Sequence, residues 1–142
     1  MIHEEICTYD VCKLAKEKGF PQDTSRWLRN APCRNYYTRK GELNGDCMEI
    51  VQYMIANKTK DIPDNLQTVA APTQSILQQW LRKQKRIEVN AFWDNGCDAW
   101  FGYAQEMDAP DLVGSFPIDG TFSTYELALE AALKFTLENL VD

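Results

Sequence analysis

The sequence predicts an α+β fold: a small antiparallel sheet built on a central hairpin, residues 87–93 and 99–107, packed by helices near 8–18, 47–57, 72–85 and 124–140. Three observations predict it. Asn95-Gly96 is a strong hairpin signal, set between two runs rich in β-branched and aromatic residues. Ser123 followed three residues later by Glu126 is a capping-box pattern in front of a long apolar stretch. Pro72-Thr73-Gln74 precedes Ile76, Leu77, Trp80 and Leu81, which recur at helical spacing.

In chain order, Thr8 is the expected N-cap of a first helix whose apolar face holds Cys7, Val11, Leu14 and Ala15. Gly19-Phe20-Pro21 reads as its stop: a left-handed glycine, an apolar contact and a breaker. Between residues 23 and 45, Asn35-Tyr36-Tyr37-Thr38 and Gly41-Glu42-Leu43 form a small hairpin around Arg39-Lys40, and Ser25 to Asn30 reads as a short helical turn. Asp46-Cys47-Met48-Glu49 has the capping-box pattern, with Ile50, Val51, Met54 and Ile55 on one face of a helix over 47–57. Residues 58–67 are a polar connector. Length favours a single domain, residues 1–142, and the connector divides it into an N-terminal lobe, 1–60, and a C-terminal α-β-β-α lobe, 68–142.

Pro72 suits the first position of the next helix, where its missing N–H costs nothing. Arg82, Lys83, Lys85 and Arg86 crowd that helix's C-terminal turn, where the dipole favours cations. With a two-residue type I′ turn at Asn95-Gly96, Asp94 pairs with Cys97, Phe92 with Ala99, Asn90 with Phe101 and Glu88 with Tyr103. One face of the hairpin then carries Ile87, Val89, Ala91, Trp93, Trp100 and Ala104 toward the core. The other presents Phe92, Phe101 and Tyr103 among Glu88, Asn90 and Cys97. An acidic loop with Asp108, Pro110, Asp111 and Pro117 follows. In the closing helix Ser123 is the expected N-cap and Phe122 staples onto Leu127. Its polar stripe is narrow, only Glu130, Lys134, Glu138 and Asn139, so it requires cover on two sides, by the sheet and by another helix or a second subunit.

Composition bounds the function. The chain has 142 residues, 44% hydrophobic and 25% charged, within the ordinary globular range. No apolar run approaches the ~20 residues of a membrane span, and the acidic start Met1-Ile2-His3-Glu4-Glu5 is unlike a signal peptide, so the protein reads as cytoplasmic with no membrane partner. Five cysteines (Cys7, Cys12, Cys33, Cys47, Cys97), no Cys-x-x-Cys pair and one histidine point to reduced, mostly buried thiols and to no metal site or cofactor. The net charge of −6 is unevenly spread: residues 1–87 hold 14 Lys and Arg against 10 Asp and Glu, residues 88–142 hold 1 against 11.

Catalysis has little to work with. His3 sits at a terminus, and a nucleophile at Cys47 or Ser75 lacks an evident base. The chain reads as a non-enzyme. Asp94, Asp98, Asp108, Asp111 and Asp119 are a scattered carboxylate set that would bind a divalent cation only if the hairpin gathered them at one end. The nucleic-acid alternative rests on Arg26, Arg29, Arg34, Arg39 and Lys40, interleaved with Trp27, Tyr36 and Tyr37, and on Arg82, Lys83, Lys85 and Arg86 before the hairpin. Helix-then-hairpin is also the order of a winged helix. Against it, the wing tip carries Asp94 and Asp98.

Ala71-Pro72-Thr73-Gln74, Trp80-Leu81-Arg82 and Phe122-x-Thr124-Tyr125-Glu126-x-Ala128-Leu129-Glu130-Ala131 resemble motifs of small proteins encoded by gut anaerobic bacteria and their tailed phages. The resemblance covers residues 71–140 well and the first helix loosely. That group has no assigned activity, so it implies a fold and a phage or mobile-element setting, and no residue's role. The leading expectation is a binding module that contacts a protein partner or itself, with Phe92, Phe101 and Tyr103 or the far side of the last helix as the surface. A further alternative, implied only by the phage setting, is a host-defence antagonist that binds a host protein or small ligand.

Overall fold

The computed structural model describes residues 5–22, 36–38, 41–44, 55–58, 69–109 and 114–142. The fold is α+β, and the chain divides into two compact units, Ile6–Thr73 and Gln74–Asp142, the second including the N-terminal residues through Glu5. The division falls at residues 73 and 74 instead of within the polar connector.

The first unit contains α1 (Tyr9–Glu17) and three short strands, β1 (Tyr36–Tyr37), β2 (Leu43–Asn44) and β3 (Val69–Ala70), in the order β2-β1-β3. Thr8 caps α1 by accepting the Val11 N–H, and Gly19, at φ +98°, ends it, with Phe20 buried behind. Val11, Cys12 and Ala15 form its buried face. The expected small hairpin is present: Tyr36 pairs with Asn44 and Tyr37 with Leu43, and the Thr38 N–H donates to the Glu42 carbonyl. The Tyr37 hydroxyl donates to the Cys7 carbonyl at 2.7 Å, while the Cys7 N–H donates to the Pro72 carbonyl. Residues 55–57 are helical; the rest of the helix expected over 47–57, and the turn at Ser25 to Asn30, lie outside the described residues.

The second unit holds α2 (Gln74–Gln84), β4 (Ile87–Asp94), β5 (Ala99–Glu106), β6 (Ser115–Pro117) and α3 (Tyr125–Asn139), with the sheet in the order β4-β5-β6. Pro72 does not open the helix. It lies two residues upstream with its carbonyl bonded to Cys7, so α2 starts where the Gln74 N–H donates to the Glu5 carbonyl. Within the acidic loop, β6 is a strand that the sequence did not reveal, pairing Phe116 with Ala104 and Pro117 with Tyr103.

The hairpin register differs from the expected one by two residues. Asp94 pairs with Ala99, Phe92 with Phe101 and Asn90 with Tyr103, leaving a four-residue turn, Asn95-Gly96-Cys97-Asp98. A type I′ turn needs positive φ at both Asn95 and Gly96. Here the Asp94 carboxylate accepts the Gly96 N–H at 2.7 Å, and the left-handed residue is Asp98, at φ +52°. Because side chains alternate with period 2, an even slip leaves every residue on its expected face.

On the helix-covered face Ile87, Val89 and Ala104 are buried. Gly102 lets α3 come close: a Cβ there would stand 2.7 Å from the Ala128 carbonyl oxygen and 3.0 Å from the Ala132 Cβ. From α3 the stripe Ala128, Leu129, Ala132, Leu133, Thr136 and Leu137 is buried, and the Thr136 hydroxyl is satisfied by the Ala132 carbonyl. Leu77 and Leu81 of α2 complete the core. The sheet and α2 thus both pack against α3 within the unit.

Thr124, not Ser123, caps α3: its Oγ1 accepts the Leu127 N–H at 3.1 Å. With the start moved by one residue the staple onto Leu127 does not form; that side chain is 53% exposed, and Phe122 instead bridges the Trp100 backbone. Thr124→Ala is therefore expected to cost about 1 kcal/mol of stability and Ser123→Ala only a few tenths, measured by urea unfolding of the two variants.

The outer edge of β4 is closed by side chains. Gln78 Nε2 donates to the Val89 carbonyl at 2.6 Å, and Asn90 Oδ1 accepts the Ala91 N–H at 2.9 Å. These bonds occupy groups that a further strand would need.

Candidate functional site

The solvent-facing side of the β4-β5-β6 sheet reads, by register, Glu88, Asn90, Phe92 and Asp94 on β4, Ala99, Phe101, Tyr103 and Gln105 on β5, and Ser115 and Pro117 on β6. An antiparallel sheet covered on one face ordinarily turns polar residues outward. Here three aromatic rings stand on that face. The observed register places Phe92 directly opposite Phe101, where the rings stack with centroids 5.6 Å apart and planes 18° from parallel. Tyr103, the diagonal neighbour, sits 5.9 Å from Phe92 at 58°. Phe92 is 45% exposed and the other two are half-buried. The sequence placed these residues on one face; the two-residue shift is what brings the phenylalanines into contact.

Near the turn, the helix-covered face continues in a second aromatic run. Trp93 packs edge-on against Trp100 at 5.5 Å, and Trp100 against Tyr125 at 5.4 Å. Trp93, expected in the core, is instead 43% exposed because it lies beyond the helical cover, and its indole N–H donates to Asn95 Oδ1. The Tyr125 hydroxyl donates to Asn90 Oδ1, which ties the start of α3 to β4. Nothing in the sequence marked Asn90 for this double use.

A cleft of about 160 Å³ opens between α2 and the start of α3, lined in part by Glu5, Gln74, Gln78, Tyr125 and Leu129. The buried Gln74 amide donates to the Glu126 carbonyl at 2.9 Å and to Glu130 Oε2 at 2.8 Å. These bonds join two helices, which is a structural use of the residue.

The basic cluster after α2 is largely engaged. Arg82 approaches Glu88 at 3.4 Å, Arg86 approaches Asp108 at 3.2 Å, and the Lys85 ammonium lies 5.5 Å from the Trp80 ring centre. Lys83 is exposed. Arg86 has φ +58°, and its carbonyl accepts the Met107 N–H, so it sits at the end of the hairpin away from the turn. Asp108, its partner, is therefore separated from Asp94 and Asp98 by the length of the strands, so these three aspartates do not gather into a cation site. Asp111 lies outside the described residues, as do Arg26, Arg29, Arg34, Arg39 and Lys40. Among the described residues no group of three or more His, Cys, Asp or Glu is arranged to hold a metal ion, and no helix is long and apolar enough to cross a membrane.

Cys7 and Cys12 are buried thiols, and Cys97, expected on the outward side of the hairpin, is exposed in the turn. Cys33 and Cys47 lie outside the described residues. Comparison with protein-family models, with curated proteins and with solved structures finds no match.

Proposed function

We propose that the protein is a small non-enzymatic binding module that works by protein–protein contact through Phe92, Phe101 and Tyr103, in the manner of a phage or mobile-element accessory protein. The observation that carries this reading is the stacked Phe92/Phe101 pair on the outward side of the sheet, with Phe92 nearly half exposed. Aromatic rings there contribute little to the monomer's core, and aromatic residues are the ones enriched at interface centres. The phage setting rests on the resemblance of residues 71–140, and a host protein targeted during infection is one form the partner takes.

The nucleic-acid alternative gains no specific support from the described part of the basic set. Arg82 and Arg86 each have a carboxylate partner, and the hairpin turn carries Asp94 and Asp98. Breaking those pairs costs little at an exposed surface, so the acidic turn weighs more: it repels phosphate where a wing tip would touch it.

The test is affinity capture from a lysate of the anaerobic host with the wild-type chain and a Phe92→Ser/Phe101→Ser variant. The variant is expected to lose the wild type's specific partner, and circular dichroism on both chains separates that loss from unfolding, since Phe92 is 45% exposed but Phe101 is half-buried. Light scattering at micromolar concentration on both samples separates self-association from a foreign partner. Identical capture and identical mass for the two chains would remove this face from consideration.

A further inference from the structure

Resting on the reading of the aromatic face as a contact surface, we propose the chemistry of its occupant: an arginine-bearing segment of a protein partner, with a guanidinium laid against Phe92 and Phe101 and paired with Asp94. The residues that share the face by register include two carboxylates, Glu88 and Asp94, and no cation. Glu88 is already met by Arg82 at 3.4 Å. Asp94 is two residues from Phe92 on the same face, roughly 7 Å along the strand, and its described bond is the one from the Gly96 N–H to Oδ1. A carboxylate offers about four lone-pair positions, so Asp94 has capacity for a forked donor beside the rings.

The surroundings reinforce the sign. Asp98 is exposed in the turn. The Ile118 N–H bonds to the Gly102 carbonyl, and Phe122 exchanges backbone bonds with Trp100. The intervening residues 119–121 therefore bulge out alongside Phe101, which places the exposed Asp119 at that level. Residues 88–142 as a whole hold one Lys or Arg against 11 acids, a field that draws cationic partners and repels phosphate. The same face of a second copy would bring like charge to like charge, which disfavours a face-to-face dimer. Arginine suits the site better than lysine because its planar group both stacks on rings and presents a fork to a carboxylate.

The experiment is a titration of the full-length, isotope-labelled chain, followed by amide chemical shifts, with three short uncharged-backbone peptides carrying two arginines, two lysines or two glutamates. The arginine peptide is expected to shift residues 92–94 and 101–103 saturably, about threefold or more tighter than the lysine peptide, weakening with salt; the glutamate peptide is expected to do nothing. Asp94→Asn keeps an oxygen for the Gly96 N–H and so preserves the turn, yet it is expected to weaken arginine-peptide binding about fivefold. Equal affinity for the arginine and lysine peptides, indifference to Asp94→Asn, or concentration-dependent shifts at the same residues without peptide would overturn the proposal. The last outcome would make a second copy the occupant. Retention of the captured partner by Asp94→Asn together with its loss in Phe92→Ser/Phe101→Ser would sink the arginine proposal and leave the contact surface standing.

Discussion

Leu133→Ala is expected to destabilise the protein by about 3 kcal/mol, within the 2–5 kcal/mol typical of a leucine removed from a close-packed core, whereas Leu127→Ala is expected to change stability by less than about 0.5 kcal/mol. The two leucines are six residues apart on the same helix and differ only in what they meet. Leu133 is fully buried in the stripe that runs from Ala128 to Leu137, and Leu127 is 53% exposed. The contrast tests whether α3 is covered on the described side only. Urea unfolding followed by tryptophan fluorescence suits the measurement, because three of the four tryptophans, Trp80, Trp93 and Trp100, lie in the Gln74–Asp142 unit. A large loss at Leu127 would mean that a further surface covers it in solution.

Gly102→Val is expected to cost about 3 kcal/mol, the upper end of the usual range for overpacking a core. Even the first added carbon would meet the Ala128 carbonyl oxygen at 2.7 Å, and that atom belongs to a helix backbone that cannot rotate away. The helix would have to retreat from the sheet, loosening the packing of the buried Leu129 and Leu133. The same unfolding experiment measures it, and near-UV circular dichroism should show weaker tryptophan signals as the Trp100–Tyr125 contact slackens. An unchanged midpoint would show that α3 does not sit as close to β5 as described.

Much of this fold was legible because single residues with strong local preferences marked its joints. Thr8 and Gly19 bound α1 as expected, the small hairpin that pairs Tyr36-Tyr37 with Leu43-Asn44 was visible in composition, and the two faces of the 87–107 hairpin were assigned correctly. The errors share a physical origin: a neighbouring group took up a bond that the local sequence rule gave to another residue. Asp94 captured the Gly96 N–H and lengthened the turn by two residues, which moved Phe92 from opposite Ala99 to opposite Phe101. Thr124 outcompeted Ser123 by one position, and Pro72 lent its carbonyl to Cys7 instead of opening α2. β6 stayed hidden because three residues ending in proline carry no period to detect. The candidate surface was legible as a list of residues; the Phe92/Phe101 stack was not, because it depends on the register.

The most direct measurement of the central claim is site-specific photo-crosslinking in host cells, with a photoreactive phenylalanine analogue placed either at Phe92 or at Leu127. Both positions are comparably exposed, at 45% and 53%, so solvent access alone does not separate them. A contact surface on the sheet predicts a discrete crosslinked partner from position 92 and none from position 127. A discrete product from 127 with none from 92 would move the contact surface to the last helix and contradict the account.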